Sequence, residues 1–271
     1  MEDKLRMIRF DRFPEGKTHA LAFSFDDGRI EDVRLAKMFE RHSLKATFHL
    51  NSGRLDREGY LSMSQAIQLS RTHELALHGE NHARLVNCPS SAIVQEVLRD
   101  RLFLEEKTGG VLQGFSYPYG DVNGDILRSV SSCGIKYSRT TNSTHCFGLP
   151  DDFLLWHPTC HMYEMPQDVP RFLEKLPRLG QAPLFLIWGH SYELERDNRW
   201  DEAETFFREV AGREEIWYAT CGDIYSYIQA VHRLRISADE TMVVNPSFQS
   251  VWISYDKNPL EIHGGECVKM R

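Results

Sequence analysis

Short apolar runs alternate with longer amphipathic stretches along most of the chain. Eight apolar runs predict strands at residues 20–25, 44–50, 73–78, 112–117, 134–139, 153–157, 183–188 and 216–221. Seven stretches with apolar residues at helical spacing predict helices at residues 31–42, 62–72, 90–109, 123–134, 169–179, 201–212 and 223–234. Such alternation is typical of parallel sheets built through right-handed crossovers.

The number of predicted strands decides between two parallel architectures. A doubly wound sheet and a closed barrel both fit the alternation, and eight strands favour the barrel. We therefore predict an α/β fold, a (β/α) barrel of seven to eight parallel strands, either regular or distorted. After residue 235 strand-like runs are separated by Asn-Pro and Gly-Gly, with no helical pattern between them. This predicts a barrel domain over residues 1–234 and a small β-rich C-terminal appendage over residues 235–271, packed on the barrel.

Charge and composition exclude several classes of partner. The net charge is −7 and no basic stripe is present, which argues against nucleic acid as a partner. The longest apolar run, residues 182–188, is too short to cross a bilayer, and the first residues lack a signal-peptide pattern. We therefore predict a cytoplasmic protein without membrane insertion. Its six scattered cysteines form no CxxC pair and are expected to be reduced rather than a disulfide framework.

Residues with catalytic chemistry follow the predicted strands. In a parallel barrel the loops after the carboxyl ends of the strands open on one face, where catalytic groups collect. The candidates on that rim are Asp26 and Asp27, His78 and His82, Tyr119, His157 and His161, and His190 and Glu193. Five of the twelve histidines thus fall on one predicted rim. A charged run at residues 99–107 is instead typical of a solvated helix face.

The His78–His82 spacing and the Asp26–Asp27 pair together indicate a metal site. Two histidines four residues apart face the same way on one helical turn. Two imidazoles and one carboxylate form a common catalytic zinc set, and either aspartate is a candidate for the carboxylate. Adjacent carboxylates repel each other unless a cation or donor stabilises both, so a metal would leave the second aspartate free as a general base. The set also suits cobalt, nickel or manganese.

Four motifs in order resemble the polysaccharide deacetylases with the NodB-homology domain, carbohydrate esterase family 4. They are Ser-Phe-Asp-Asp-Gly at residues 24–28, His-Gly-Glu-Asn-His at 78–82, Ser-Tyr-Pro-Tyr-Gly at 116–120, and the apolar strand ending in histidine at 184–190. By this resemblance Asp26 is the general base, His190 the general acid, Tyr119 an oxyanion donor through its backbone N–H, and Asp27, His78 and His82 the metal ligands. The resemblance implies a hydrolase that removes acetyl groups through metal-activated water.

The chain departs from the family pattern at three places. Ser116 stands where the third motif has an arginine, and Arg139 at the end of the next strand is a candidate replacement. Gly79 stands where the family has serine or threonine. The Asp-Trp pair of the fourth motif has no clear match, and residues 154–161 take its place.

Further rim side chains are candidate substrate contacts. Flat aromatic faces suit sugar rings. The candidate contacts are Tyr119, Trp156, His157, His161, Trp188 and Tyr192. Each has an alternative structural interpretation, as a core cap for the aromatic residues or as a polar strand end for the histidines.

Three functions remain open from the sequence. The first is a metal-dependent deacetylase of an N- or O-acetylated carbohydrate. The second is a hydrolase of a non-peptide small-molecule amide on the same metal site, which the altered third and fourth motifs favour. The third is a catalytically silent carbohydrate-binding barrel, which the missing arginine favours and the retained aspartates and histidines oppose.

Overall fold

The computed structural model describes residues 8–177 and 182–270. After a short strand β1 (Ile8–Arg9), eight strands form one parallel sheet: β2 (His19–Phe25), β3 (Ala46–Leu50), β4 (Glu74–Leu77), β5 (Gly114–Ser116), β6 (Tyr137–Arg139), β7 (Cys160–His161), β8 (Leu184–Gly189) and β9 (Ile216–Tyr218). Their order is β6-β5-β4-β3-β2-β8-β7, with β9 beside the first half of β2. At the centre of the sheet, Phe25 of β2 pairs with Phe48 of β3 on one side and with Gly189 of β8 on the other.

One irregular segment joins the two outer strands of this sheet. Trp156 bridges Arg139 of β6, while Cys160 and His161 pair with β8. Residues 156–161 thus span the gap, and the predicted α/β barrel is confirmed in a distorted form. The predicted strand at 153–157 is wrong, because residues 153–155 form a 3-10 turn whose start is capped by the Asp152 side chain. Pro158, which lacks a backbone N–H, then follows, and the strand begins only at Cys160.

Helices follow the strands as the pattern predicts. They are α1 (Asp32–Arg41), α2 (Met63–Leu69), α3 (Ser90–Thr108), α4 (Gly124–Ser132), α5 (Met165–Leu173), α6 (Ser191–Arg196), α7 (Trp200–Val210) and α8 (Cys221–His232). Seven of these match predicted helices within a few residues. Helix α5 begins four residues earlier than predicted, and the last two residues of its predicted span, 178 and 179, lie outside the described residues. Helix α6 is the one that the pattern did not predict.

Aromatic side chains fix the outer helices to the sheet. Phe23 on β2 packs against Phe39 of α1, with ring centroids 4.8 Å apart, and Phe39 packs against Phe207 of α7 at 4.7 Å. All three side chains are buried, and each contributes about 1.5–3 kcal/mol by leaving water. The end of β2, where the aspartate pair follows, is therefore held in a rigid frame.

The C-terminal residues form two small antiparallel sheets, as their pattern predicts. Their strands are β10 (Arg235–Ile236), β11 (Met242–Val244), β12 (Val251–Tyr255), β13 (Asn258–Ile262) and β14 (Cys267–Lys269). One sheet has the order β1-β12-β13 and the other β10-β11-β14. Buried Val251 and Ile253 share an apolar cluster with Tyr227 of α8. The division into two domains at residue 234 stays a prediction.

Two further expectations concern cysteines and membranes. None of the six cysteines is paired with another, and their redox state stays a prediction. Within residues 8–177 and 182–270, none of the helices combines the length and the apolar character that a bilayer crossing requires.

Candidate active site

The two adjacent aspartates enter different environments. Asp26 continues the strand, since its N–H donates to the Gly189 carbonyl 3.1 Å away, and it is only 2% exposed. Asp27 has a φ of 81°, in the left-handed region, which turns the chain sharply. The turn separates the two carboxylates, so that Asp26 lies within the barrel end and Asp27 on the inner surface of the rim.

Asp27 faces the two histidines of the second motif. Its Oδ1 atom lies 3.6 Å from His78 Nε2 and 3.5 Å from His82 Nε2. The Nδ1 atom of His78 lies 2.8 Å from the Ser116 carbonyl oxygen, which can only accept a hydrogen bond. We therefore place the His78 proton on Nδ1, which leaves the Nε2 lone pair directed to the shared position.

These three side chains fit a divalent metal ion. One ligand atom from each lies within 4.8 Å of the others. The Oδ1 atom of Asp27 is buried and has no hydrogen-bond partner, which is costly unless a cation or donor satisfies it. Burial and the neighbouring His78 lower the pKa of His82 to about 4, so that its imidazole is neutral at pH 7 and able to ligate.

Asp26 is held by Arg139 and Ser116. Burial acts to raise the pKa of Asp26, but the Arg139 guanidinium, together with the His78 imidazole, outweighs it and holds that pKa well below its usual range. Arg139 donates to Asp26 Oδ2 through Nη2 and to Ser24 Oγ through Nε at 2.8 Å. The Ser116 hydroxyl donates to Asp26 Oδ1 at 2.8 Å. The carboxylate is therefore ionised and fixed in orientation.

Two carboxylates of helix α3 hold the histidine loop. Asp100, fully buried, accepts from the backbone N–H of His78 at 3.1 Å and of Ser52 at 2.8 Å. Glu96 accepts from the N–H of Asn81 at 2.6 Å and of Ala83 at 3.1 Å. Residues 99–107 are thus not simply a solvated face, because Asp100 turns inward.

His190 lies at the end of β8 beside a carboxylate and a second histidine. Its Nδ1 atom is 3.4 Å from Glu193 Oε1, and His161 Nε2 is 3.0 Å from Glu193 Oε2. Burial acts to lower the pKa of His190, but Glu193, Asp26 and Asp27 outweigh it and raise the pKa. The two imidazoles in turn lower the pKa of Glu193 to about 2, against the effect of its burial. His190 is therefore biased toward its protonated form.

Three of the candidate residues have strained backbones. Asp27, His82 and Tyr119 have φ values of 81°, 60° and 64°, which residues with a Cβ atom seldom adopt. Each such residue costs about 1–3 kcal/mol, and such strain clusters at functional sites. All three are sequence-predicted candidates.

The candidate substrate contacts separate into two groups. Tyr119 is 56% exposed, with its ring 4.7 Å from that of His82. The Tyr192 ring lies 5.2 Å from that of His190, and the half-buried Trp188 ring lies 4.8 Å from that of His161. These four predicted contacts surround the catalytic candidates.

Trp156 and His157 are placed elsewhere. Trp156 is 2% exposed and packs edge-on against Phe153, as its alternative interpretation as a core residue expects. His157 Nδ1 lies 2.6 Å from the Thr140 hydroxyl. Its ring lines a cavity that includes Asp152 and none of the metal candidates.

Comparison with known proteins identifies the type of barrel. The family model for polysaccharide deacetylases matches residues 14–138, somewhat less than half of the chain. The resemblance to the polysaccharide deacetylases is confirmed. No curated protein matches the chain significantly in sequence.

Solved structures share the polysaccharide deacetylase fold. A candidate polysaccharide deacetylase from Mycobacterium smegmatis aligns with a TM-score of 0.64 at 19% identity, over 83% of this chain and 94% of that one. The Streptococcus pyogenes deacetylase PplD, in complex with acetate, aligns with a TM-score of 0.51 at 18% identity, over 56% of this chain and 69% of that one. A mutant of BA3943, a family 4 pseudoenzyme with restored activity, aligns with a TM-score of 0.51 at 16% identity, over 76% of this chain and 67% of that one. Because a pseudoenzyme shares the fold, activity must be argued from the residues of the site.

The departures from the polysaccharide deacetylase motifs have structural counterparts. Ser116 cannot supply a positive charge, but Arg139 of the neighbouring strand lies against Asp26. Gly79 has a φ of 82°, and a Cβ atom there would lie 3.2 Å from Glu96 Oε1. Glycine thus allows the close approach of the glutamate that holds the loop.

Several residues that shape this site were not predicted. They are Ser24, His49, whose Nε2 lies 3.0 Å from Ser24 Oγ, Glu96 and Asp100. Glu96 and Asp100 share one helical stripe with the buried Ile93, Val97 and Leu104. The signal for Glu96 and Asp100 was their position on the apolar stripe of the helix. Ser24 and His49 lie in strands whose residues are all buried, so the pattern does not single them out.

Proposed function

We propose that this protein is a metal-dependent deacetylase acting on an N- or O-acetylated carbohydrate. The family match supports deacetylase activity of this class. The observation that carries the proposal is the divergence of the aspartate pair: Asp26 is ionised against Arg139, while the unpartnered Oδ1 of Asp27 faces two imidazole nitrogens. This arrangement provides a base and a metal position side by side.

Asp27, His78 and His82 would hold the metal. A divalent ion there supplies Lewis acidity to an acyl carbonyl and lowers the pKa of a water molecule. We expect zinc, although cobalt, nickel and manganese also accept this ligand set.

The remaining groups move protons and orient the substrate. Asp26, fixed by Arg139 and Ser116, accepts the proton of the attacking water. His190, whose pKa the neighbouring carboxylates raise, donates a proton to the leaving nitrogen or oxygen. The backbone N–H of Tyr119, at the strained turn, stabilises negative charge on the acetyl oxygen. Tyr119 and Tyr192 offer ring faces to the sugar.

The two alternative functions differ in what they require. A small-molecule amide would use the same groups, since acetate release from an N-acetyl sugar is also amide hydrolysis. The hypothesis of a catalytically silent carbohydrate-binding barrel was favoured by the missing arginine of the third motif. Arg139 now provides a guanidinium at Asp26, which removes that support.

The decisive experiment combines metal content with acetate release. Wild-type protein should bind about one ion per chain and release acetate from acetylated chito-oligosaccharides. The variant His78→Ala/His82→Ala should lose both properties. The control is His263→Ala, which removes an exposed histidine outside the site.

Each other outcome has a defined meaning. Metal-replete protein that releases no acetate from any acetylated saccharide would refute the deacetylase. Hydrolysis of small amides alone would favour the amide hydrolase. Saturable glycan binding by protein that takes up no ion, even with added zinc or cobalt, would favour the silent barrel.

A further inference from the structure

A tyrosine-stacked arginine lies on the rim beside the candidate active site. Arg29 follows the metal candidate Asp27 by two residues. Its guanidinium carbon lies 4.6 Å from the ring centre of Tyr60 and 5.4 Å from that of Tyr192. Tyr192 in turn packs on His190, with ring centroids 5.2 Å apart. Arg29 is therefore connected to the catalytic side of the rim by direct ring contacts.

A second arginine also contacts Tyr60. The guanidinium carbon of Arg54 lies 5.6 Å from the Tyr60 ring centre, and its Nη1 donates to the Tyr60 hydroxyl at 2.8 Å. Its Nη2 donates to the Asn81 carbonyl at 3.3 Å, next to His82 in the histidine loop. Both arginines thus contact Tyr60, and Arg54 also contacts the histidine loop next to His82.

The donor groups of Arg29 are largely unused. Its nearest acidic partner among the described residues is Glu31, whose Oε2 lies 3.9 Å from Nε, beyond hydrogen-bond distance. That Nε is buried and has no hydrogen-bond partner. The side chain is 30% exposed. A guanidinium that contacts aromatic rings and has unused donors is suited to bind a carboxylate or a phosphate.

We infer that Arg29 and Arg54 form an anion subsite that binds a carboxylate or phosphate carried by the acetylated sugar. The inference rests on the proposed deacetylase function and narrows its substrate to acidic sugars. The chain has a net charge of −7, so two arginines on the rim would attract a negative substrate that the rest of the surface repels. Tyr60 contacts both guanidinium groups.

The test compares sugars that differ only in their anionic group. The probes are N-acetylglucosamine, its 6-phosphate and N-acetylmuramate, which carries a carboxylate. Wild-type protein and the variants Arg29→Gln and Arg54→Gln are assayed for acetate release, and for binding of the deacetylated 6-phosphate and of unmodified glucosamine by calorimetry. The control Arg71→Gln removes a charge near the amino end of β4, at the opposite end of the barrel.

We expect wild-type protein to favour at least one acidic sugar over the neutral one by about tenfold or more in kcat/KM. Arg29→Gln should remove most of this preference through KM, and Arg71→Gln should leave it unchanged. Preference for the phosphate or for the carboxylate identifies which anion is bound. Equal activity on all three sugars, unaltered in the variants, would refute the subsite while the deacetylase stands. Arginine-dependent binding of the acidic product without any acetate release would support the subsite and refute the deacetylase.

Discussion

Replacement of Arg139 by methionine tests how Asp26, the proposed general base, is held. Both side chains of the Arg139–Asp26 pair are only 2% exposed. Methionine keeps much of the buried volume and removes the positive charge. In the metal-free protein, Asp26 then lies buried without its charge partner.

The expected loss of stability is large. Removal of one partner from a buried ion pair costs about 3–5 kcal/mol, since the remaining charge is neither solvated nor compensated. For a chain of this length that corresponds to a fall in Tm of roughly 5–9 °C. The exposed pair Arg128–Asp125, with side chains 75% and 68% exposed, provides the control. Arg128→Met should change the free energy of unfolding by less than about 0.5 kcal/mol.

The stability lost in Arg139→Met should depend on pH in a defined direction. In the wild type the pKa of Asp26 is depressed, so its ionisation stabilises the fold above the unfolded value of about 4 and this contribution is lost as the pH falls. Without Arg139, burial is opposed only by the weaker neighbours, and the pKa rises. The deficit of the variant should therefore be greatest near pH 7 and shrink as the pH falls through about 4.

Denaturant unfolding of chelator-treated protein between about pH 2.5 and 8 measures this deficit. The double variant Arg139→Met/Asp26→Leu should recover much of the lost stability, because both buried charges are gone. An Arg139→Met protein as stable as the wild type at pH 7, or a deficit that does not depend on pH, would show that the pair does not hold Asp26 as described.

Two further predictions concern the groups around the pair. Glu193→Gln removes a carboxylate that raises the pKa of His190. The high-pH limb of the kcat/KM profile reports loss of the His190 proton, so it should move to lower pH. An unshifted limb would refute this role of Glu193. Asp100→Asn weakens the support of the His78 N–H and should reduce metal affinity by about 10–100-fold. Titration with a competing chelator measures that affinity, and Glu106→Gln on the exposed side of the same helix should not change it.

The sequence predicted those parts of the site that follow strands directly. Asp26, His78 and His190 each come after an apolar run, and parallel strands bring such positions to one rim whatever their separation in the chain. Arg139 could be named for the same reason, since it ends the strand beside Ser116. Contacts between residues on neighbouring strands were predictable, because the order of the strands in the sheet limits which residues can meet.

Groups that approach the rim from helices were harder to predict. A buried carboxylate such as Asp100 looks like surface charge in a local pattern, because only the tertiary structure supplies its N–H donors. The strand expected at 153–157 failed for a related reason. Its apolar residues match a strand pattern, but Trp156 is buried by packing against Phe153 and is not part of a continuous strand.

The pairing of β1 with β12 has a consequence for biosynthesis. Asp11, next to β1, accepts a hydrogen bond from the Ser254 hydroxyl, a partner 243 residues later in the chain. At about 5–20 residues per second, a ribosome needs roughly 12–50 s to make the intervening polypeptide. During that interval the barrel strands can already pair with one another, while β1 still lacks its partner strand β12. The nascent chain can therefore complete the barrel rim before β1 pairs with β12, and a chaperone that shields the early segment would act in that interval.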